Sequence, residues 1–321
     1  MWKTVVRRLL IMIPQLIALS LFAFILTSFM PGDPLTGILY DVPGMTPERV
    51  HELREMHGLN DPWFVRYVRW IVNMFRGEFG VSMHFQAPIM YVIGPRLVNT
   101  LRLSLISVII LYSVSIPLGI IAGRYNATIR ERMVSLYVYF GMSMPAIVFA
   151  FFLIWLFGFM LGWFPMSGTW SVQAQGRMGI FFSQVYHAIM PATAMSLLGS
   201  VTIVQFLRGE IVDARESDYV LTARSKGAPT SVIYNKHILR NSILPMVSGI
   251  GFAITGLLGG SVLIERAFGF NGIGRLFIDS IVIRDFSIVT FLIVFYGFLA
   301  IIAGLISDIA LMIFDPRIRI K

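Results

Sequence analysis

DYVLTARSKGAPTSVIYNKHILRNSILP, residues 218–245, is a polar and basic stretch set between two apolar ones. Residues 189–207 and 243–263 carry no charge, and each run is about the ~20 residues that a helix needs to cross a hydrocarbon core. The stretch between them reads as helix, turn, helix. Ser217 or Asp218 suits a helix start, Tyr219, Leu221, Thr222 and Ala223 continue it, and Gly227 ends it in the left-handed conformation. Pro229 suits the first turn of a second helix, which carries Val232, Ile233, Tyr234, His237 and Ile238 on toward Pro245. A basic helix-turn-helix also fits a DNA reader. The flanking apolar runs argue against nucleic acid, because they hold the stretch at a membrane surface, within reach of a protein partner.

Composition agrees with an integral membrane chain. Of 321 residues, 56% are hydrophobic and 13% charged, and mean hydropathy is +0.77; soluble domains are about a quarter charged. Cysteine is absent, which removes disulfides, thiolate metal sites and cysteine nucleophiles. Lys3, Arg7 and Arg8 precede an uncharged run over 9–30. That run exceeds the about 7–15 residues of a signal-peptide core and ends in PGDP, so it reads as an uncleaved first span.

The fold expected is an all-α integral membrane protein with six transmembrane helices, over 9–30, 103–123, 136–164, 189–207, 243–263 and 286–314. Basic residues choose the side. Lys3, Arg7 and Arg8, then Arg124, Arg130 and Arg132, then Arg208, Arg215, Arg224, Lys226, Lys236 and Arg240, and finally Arg317, Arg319 and Lys321 gather in four short stretches. The positive-inside rule places these in the cytoplasm, with both termini, and explains the net charge of +9. The expected division is 1–30 for the N-terminus and first span, 31–102 for an external helical insert, 103–314 for the five-helix core with a cytoplasmic loop over about 208–242, and 315–321 for a cytoplasmic tail.

Within the insert, Thr46-Pro47-Glu48 starts a helix that Gly58 stops, and Asp61-Pro62 starts another. The second sets Trp63, Tyr67, Trp70, Ile71 and Met74 near one face. A small cap packing on the span ends is preferred to direct substrate binding by these aromatics.

The central loop resembles the coupling loop of ABC importer permeases, in the branch that carries di- and oligopeptides. Asp218, Tyr219, Val220, Thr222, Ala223, Arg224, Lys226, Gly227, His237, Leu239, Arg240, Asn241 and Pro245 stand where that branch reads DYVxTARAKG, HxLRN and a proline. Ser225 stands where alanine is usual. RRLLIMIPQ, MPGDP, GLNDPWFVRYVRW, RGEFGVS, WFPMSG, GFNGIGRLFIDSIVIRDF and DPRIR are also similar to that family, in its order, so the resemblance spans almost the whole chain. Asn271 replaces a common proline, a change expected to alter the rigidity of an external loop.

The resemblance implies half of a heterodimeric pore in a bacterial or archaeal plasma membrane. Its partners would be the lipid bilayer, a second permease subunit, two cytoplasmic ATPase subunits that use ATP and Mg, and an external solute-binding protein that delivers peptide. Tyr219, Leu221, Thr222, Ala223, Arg224, Lys226 and Gly227 would couple to the ATPase, with Tyr219, Leu221 and Ala223 as the docked face. His237, Arg240, Asn241 and Pro245 would support the loop. A nickel importer permease of the same family is the nearest alternative.

The chemistry left out is equally informative. GxxxxGK[ST] is missing, so the chain has no usual nucleotide-phosphate cradle of its own. Five scattered histidines lack ligand spacing, and no GxSxG elbow or paired mid-span carboxylates occur, so neither a metal site nor a catalytic constellation is expected. Gln205, Glu265 and Asp308 fall near span ends, where an interfacial position is expected. A translocation path would draw on the deeper Ser143, Pro145, Ser200, Thr255, Gly256 and Gly259, each of which taken alone reads as packing. Rival readings are a stand-alone secondary transporter, which calls for an ion site within the spans, and a membrane signalling or assembly protein.

Overall fold

The computed structural model describes residues 2–29, 47–56, 58–82, 84–244, 246 and 249–314. In chain order the elements are α1 (Trp2–Ser28), α2 (Pro47–Met56), α3 (Trp63–Phe75), a two-stranded hairpin of β1 (Val81–Ser82) and β2 (Ala87–Pro88), α4 (Ile89–Arg124), α5 (Ile129–Ser143) and α6 (Ala146–Leu153). Residues Ile154–Met160 extend α6 as a π-helix. Then follow α7 (Gly176–Ala214), α8 (Asp218–Ser225), α9 (Thr230–Val232), a π-helical Ile233–Ile238, α10 (Leu239–Ser242), α11 (Ile250–Ala267), α12 (Ile273–Val282) and α13 (Phe286–Phe314).

The all-α membrane class holds. Among the described residues, Val6–Ser28, Ile89–Arg124, Gly176–Ala214 and Phe286–Ile313 are long and apolar enough to cross a membrane, and the bent pair Ile129–Ser143 and Ala146–Met160 makes a fifth if counted as one span. That pair corrects the single continuous span expected over 136–164, because the chain bends by 106° between its two arms. The cause is local: Pro145 brings no N–H to a helix ladder and forces Met144 into extended backbone, at φ −90 and ψ 115. Helix α7, at 39 residues, outruns the expected 189–207 at both ends, so residues 208–214 of the anticipated loop are its final turns.

Two compact units emerge, one from the described residues of Met1–Val5, Leu101–Phe270 and Ile302–Lys321, the other from those of Val6–Thr100 and Asn271–Ile301. In the first, α7 is the central helix. Leu103, Leu111, Phe149, Leu153, Met195 and Phe268 form one core, and Val134, Val138, Val201 and Val204 another. Small and hydroxyl residues let the helices approach where lipid supplies no hydrophobic drive. Ser196 Oγ donates to Ser107 O at 2.7 Å, and a Cβ on Gly141 would stand 2.5 Å from Val201 Cγ2.

In the second unit, Ile89, Ile93, Ile273, Leu276, Ile288 and Leu292 form the core. Asp285 caps α13, accepting from Ile288 N–H at 3.1 Å. Its other oxygen takes the Ser82 hydroxyl, which fastens the hairpin. Asn271, at the expected proline position, accepts from Arg96 Nε at 3.1 Å through Oδ1 and from Asn99 Nδ2 at 2.9 Å through its carbonyl. The side chain therefore ties this loop by hydrogen bonds. Among the described residues, α2 runs from Pro47 to Met56 with Gly58 beyond it at φ +61, and α3 starts directly after Asp61-Pro62 as the sequence predicts. Their placement differs: Tyr67 lies 2.8 Å from Ser20 Oγ, well inside α1, so α3 packs along that helix and not only at its end.

Candidate functional site

The loop after α7 forms as helix, glycine turn, helix. Ser217 is extended at the start of α8, but its hydroxyl bonds back to Ala214 O and makes no cap bond. Asp218 puts a negative charge in the first turn, where the helix dipole favours it. At the far end, Gly227 takes φ +74. Its N–H reaches Arg224 O at 2.9 Å while Ala228 N–H reaches Ala223 O at 3.2 Å, the paired bonds of a Schellman stop.

The faces of α8 correct one expectation. Val220 and Ala223 are buried, with Leu207, Ile211, Ile233, Ile238 and Met246, in a core made by this chain itself. Ala223, expected on a docked face, is turned into this chain's own core; its three-residue offset from Val220 puts both on the inner side. Tyr219 and Leu221 are 39% and 49% exposed, and Thr222, Arg224, Lys226 and Gly227 are exposed with them.

Pro229 lies outside α9, extended, and its carbonyl accepts from the Val232 and Ile233 N–H groups at 3.0 and 3.1 Å. The continuation then widens into a π-helix over Ile233–Ile238 in place of the plain α-helix expected. Widening to an i→i+5 ladder sets Ile233 and Ile238, five residues apart, on one buried side. Support comes from these isoleucines and from Ser242, whose hydroxyl donates to Glu210 O on α7 at 3.2 Å. Of the expected supports, Asn241 Nδ2 donates to His237 O at 3.2 Å, Arg240 is exposed, and Pro245 lies outside the described residues.

Charged groups brace the same region. Arg208 on α7 pairs with Glu131 on α5 at 3.0 Å, and Ser135 donates to Glu131 Oε1 at 2.7 Å. The Arg124 guanidinium sits 5.2 Å from the Tyr234 ring centre, linking the end of α4 to the π-helical turn. Sequence reasoning missed Glu131 because it pairs with a residue 77 positions away.

The path candidates separate. Ser200 is fully buried, within 2.6 Å of the Tyr137 hydroxyl and bonded to its own helix, so it is a packing residue. Ser143 is exposed and bonds to Tyr139 O at 2.8 Å, and Pro145 makes the bend described above. Thr255 bonds to Gly251 O at 3.1 Å. Gly256 and Gly259 face open space. Gly256 joins Tyr112, Met195, Thr202, Phe206 and Ala253 in lining an apolar cleft of about 640 Å³. Glu265, expected at an interface, is fully buried in α11.

Apolar helices joined by a helical loop that is held on α7 define a membrane-embedded protein. Residues 115–320 match the family described as binding-protein-dependent transport system inner membrane component, and residues 1–99 match its N-terminal region. The chain belongs to this family, and is a multi-pass membrane permease without an ATPase site of its own. It is 33% identical over 316 residues to an oligopeptide transport system permease protein of Bacillus subtilis, covering 98% of each chain. It is 32% identical to a dipeptide transport system permease protein of Lactococcus lactis and 31% identical to a glutathione transport system permease protein of Shigella flexneri, each over 321 residues and the full length of both chains.

Proposed function

We infer that this permease forms half of an ATP-driven import pathway for peptides, paired with a second permease subunit, two cytoplasmic ATPases using ATP and Mg, and an external solute-binding protein. Three relatives named for oligopeptides, dipeptides and glutathione support peptide cargo over nickel. The division into six spans rests on hydropathy, the external insert over 31–102 and the cytoplasmic termini rest on the charge pattern, and all belong to the same reading.

One observation carries the coupling role. Helix α8 is anchored through Val220 and Ala223 while Tyr219, Leu221 and Thr222 stand exposed on a helix that the glycine turn stops sharply. Such a helix fits a groove of a partner, so closure of the partner moves α7 and the elements packed on it. Arg224 and Lys226 form its polar rim, and this chain itself contributes no cofactor site.

Peptide uptake into proteoliposomes holding all partners tests the reading. Uptake that needs ATP and every subunit is the expected result. Uptake by the chain alone on an ion gradient, without any ATPase, overturns it in favour of a secondary transporter.

A further inference from the structure

Helix α3 has three distinct faces. At about 100° per residue, Tyr67, Trp70, Ile71 and Met74 share one side, and the Tyr67 and Trp70 rings lie 5.5 and 6.0 Å from that of Phe24 on α1. Arg66, Arg69, Asn73 and Arg76 share the second. The third consists of Phe64, Val68, Val72 and Phe75, all exposed, with Phe75 at 89%.

Depth indicates what covers that third face. Contacts with α1 fall at Ser20 and Phe24, about 6–12 Å of helix rise inside the Ser28 end of that helix. Interfacial helices sit about 5–10 Å into the headgroup and acyl boundary. Ile17, Phe22 and Leu26 on α1 are exposed apolar side chains as well. Water is therefore a poor neighbour for Phe64 and Phe75.

The cationic face is built rather than loose. Arg66 lies over the Phe24 ring at 5.9 Å, and Arg69 bonds to Asp61 at 2.7 Å. Gly58 leaves room for the Arg69 guanidinium, which any Cβ there would strike. Together with Arg54, Asn60 and Asn73 these two arginines line a cleft of about 690 Å³, and none of its lining residues is acidic.

We propose that α3 is a membrane-seated helix, with Phe64, Val68, Val72 and Phe75 among acyl chains and the Arg66 and Arg69 cleft holding the phosphate of an anionic phospholipid. Cationic side chains beside an apolar stripe are the arrangement that binds such a surface. The bidentate geometry of guanidinium suits a phosphate.

The cysteine-free sequence makes the test direct. Val68→Cys and Arg76→Cys each place one nitroxide on the chain, in the assembled transporter with cysteine-free partners, in nanodiscs of phosphatidylcholine and phosphatidylglycerol. Oxygen should relax the label at 68 more than a water-soluble nickel chelate does, with the reverse at 76. A label at 68 relaxed mainly by the chelate, or shielded from both because protein covers it, overturns the seating. Phe64→Cys repeats the measurement should Val68→Cys not assemble. For the headgroup, spin-labelled phosphatidylglycerol should be held about five-fold more strongly than phosphatidylcholine. Arg66→Gln with Arg69→Gln should abolish that preference. Equal retention of the two lipids by the unmodified protein overturns the phosphate site.

Discussion

Glu131 and Arg208 form an ion pair of 3.0 Å between the first turn of α5 and the last third of α7. Glu131 is nearly covered, with its side chain 11% exposed against 34% for Arg208. The pair lies where α7 leads toward the helical loop that follows it, and Ser135 supplies a second bond to the same carboxylate.

Removing the cation alone strands a buried charge. Arg208→Ala should lower stability by about 1–3 kcal/mol, less than the loss at a fully buried pair because Arg208 is partly solvated. Glu131→Gln with Arg208→Ala should recover part of that loss. Thermal unfolding in nanodiscs reads both, and an Arg208→Ala protein as stable as the parent contradicts the bracing role.

At the glycine turn, backbone conformation sets the expectation. Gly227→Ala places a Cβ at φ +74 and should cost about 1 kcal/mol. Gly227→Pro also removes the N–H that bonds to Arg224 O, so it should reduce uptake per ATP hydrolysed much further than the alanine does. Coupled transport in proteoliposomes distinguishes the two.

The two sides of α8 should respond in opposite ways to the same new charge. Ala223→Asp buries a carboxylate in an apolar core and should destabilise the chain by more than about 2 kcal/mol. Leu221→Asp, on the exposed side, should leave stability within about 0.5 kcal/mol while weakening ATPase docking. Normal uptake by the Leu221→Asp protein with all partners present would remove that residue from the docked face.

Glycines on α11 divide by what surrounds them. A Cβ on Gly251 would run into the Ala303 carbonyl oxygen on α13, so Gly251→Ala should cost about 1–3 kcal/mol as overpacking. Gly256 meets nothing within 4 Å, and Gly256→Ala should change stability by no more than about 0.5 kcal/mol. Altered peptide preference in the Gly256→Ala protein, measured by competitive uptake, would connect the 640 Å³ cleft to cargo.

Much of this molecule is readable along the chain because its determinants are local. Uncharged runs near the length of a span mark membrane helices, a glycine after α8 marks the turn, and Asp61-Pro62 marks the start of α3, since backbone terms and burial in lipid depend on neighbouring residues. Family motifs are linear as well. Their order along the chain is enough to carry the resemblance to ABC importer permeases.

Tertiary structure alone decided which side of each helix does what. Ala223 faces inward because Leu207 and Ile211 lie beneath it, and Ser200 is a packing residue because Tyr137 reaches it. The pairing of Glu131 with Arg208 depends on how separate segments meet. So does the seating of α3 against Ser20 and Phe24. Sequence determined the elements and the class of protein, since local propensity and hydropathy act over a few residues. The faces, the pairs and the clefts were left to packing between residues far apart in the chain.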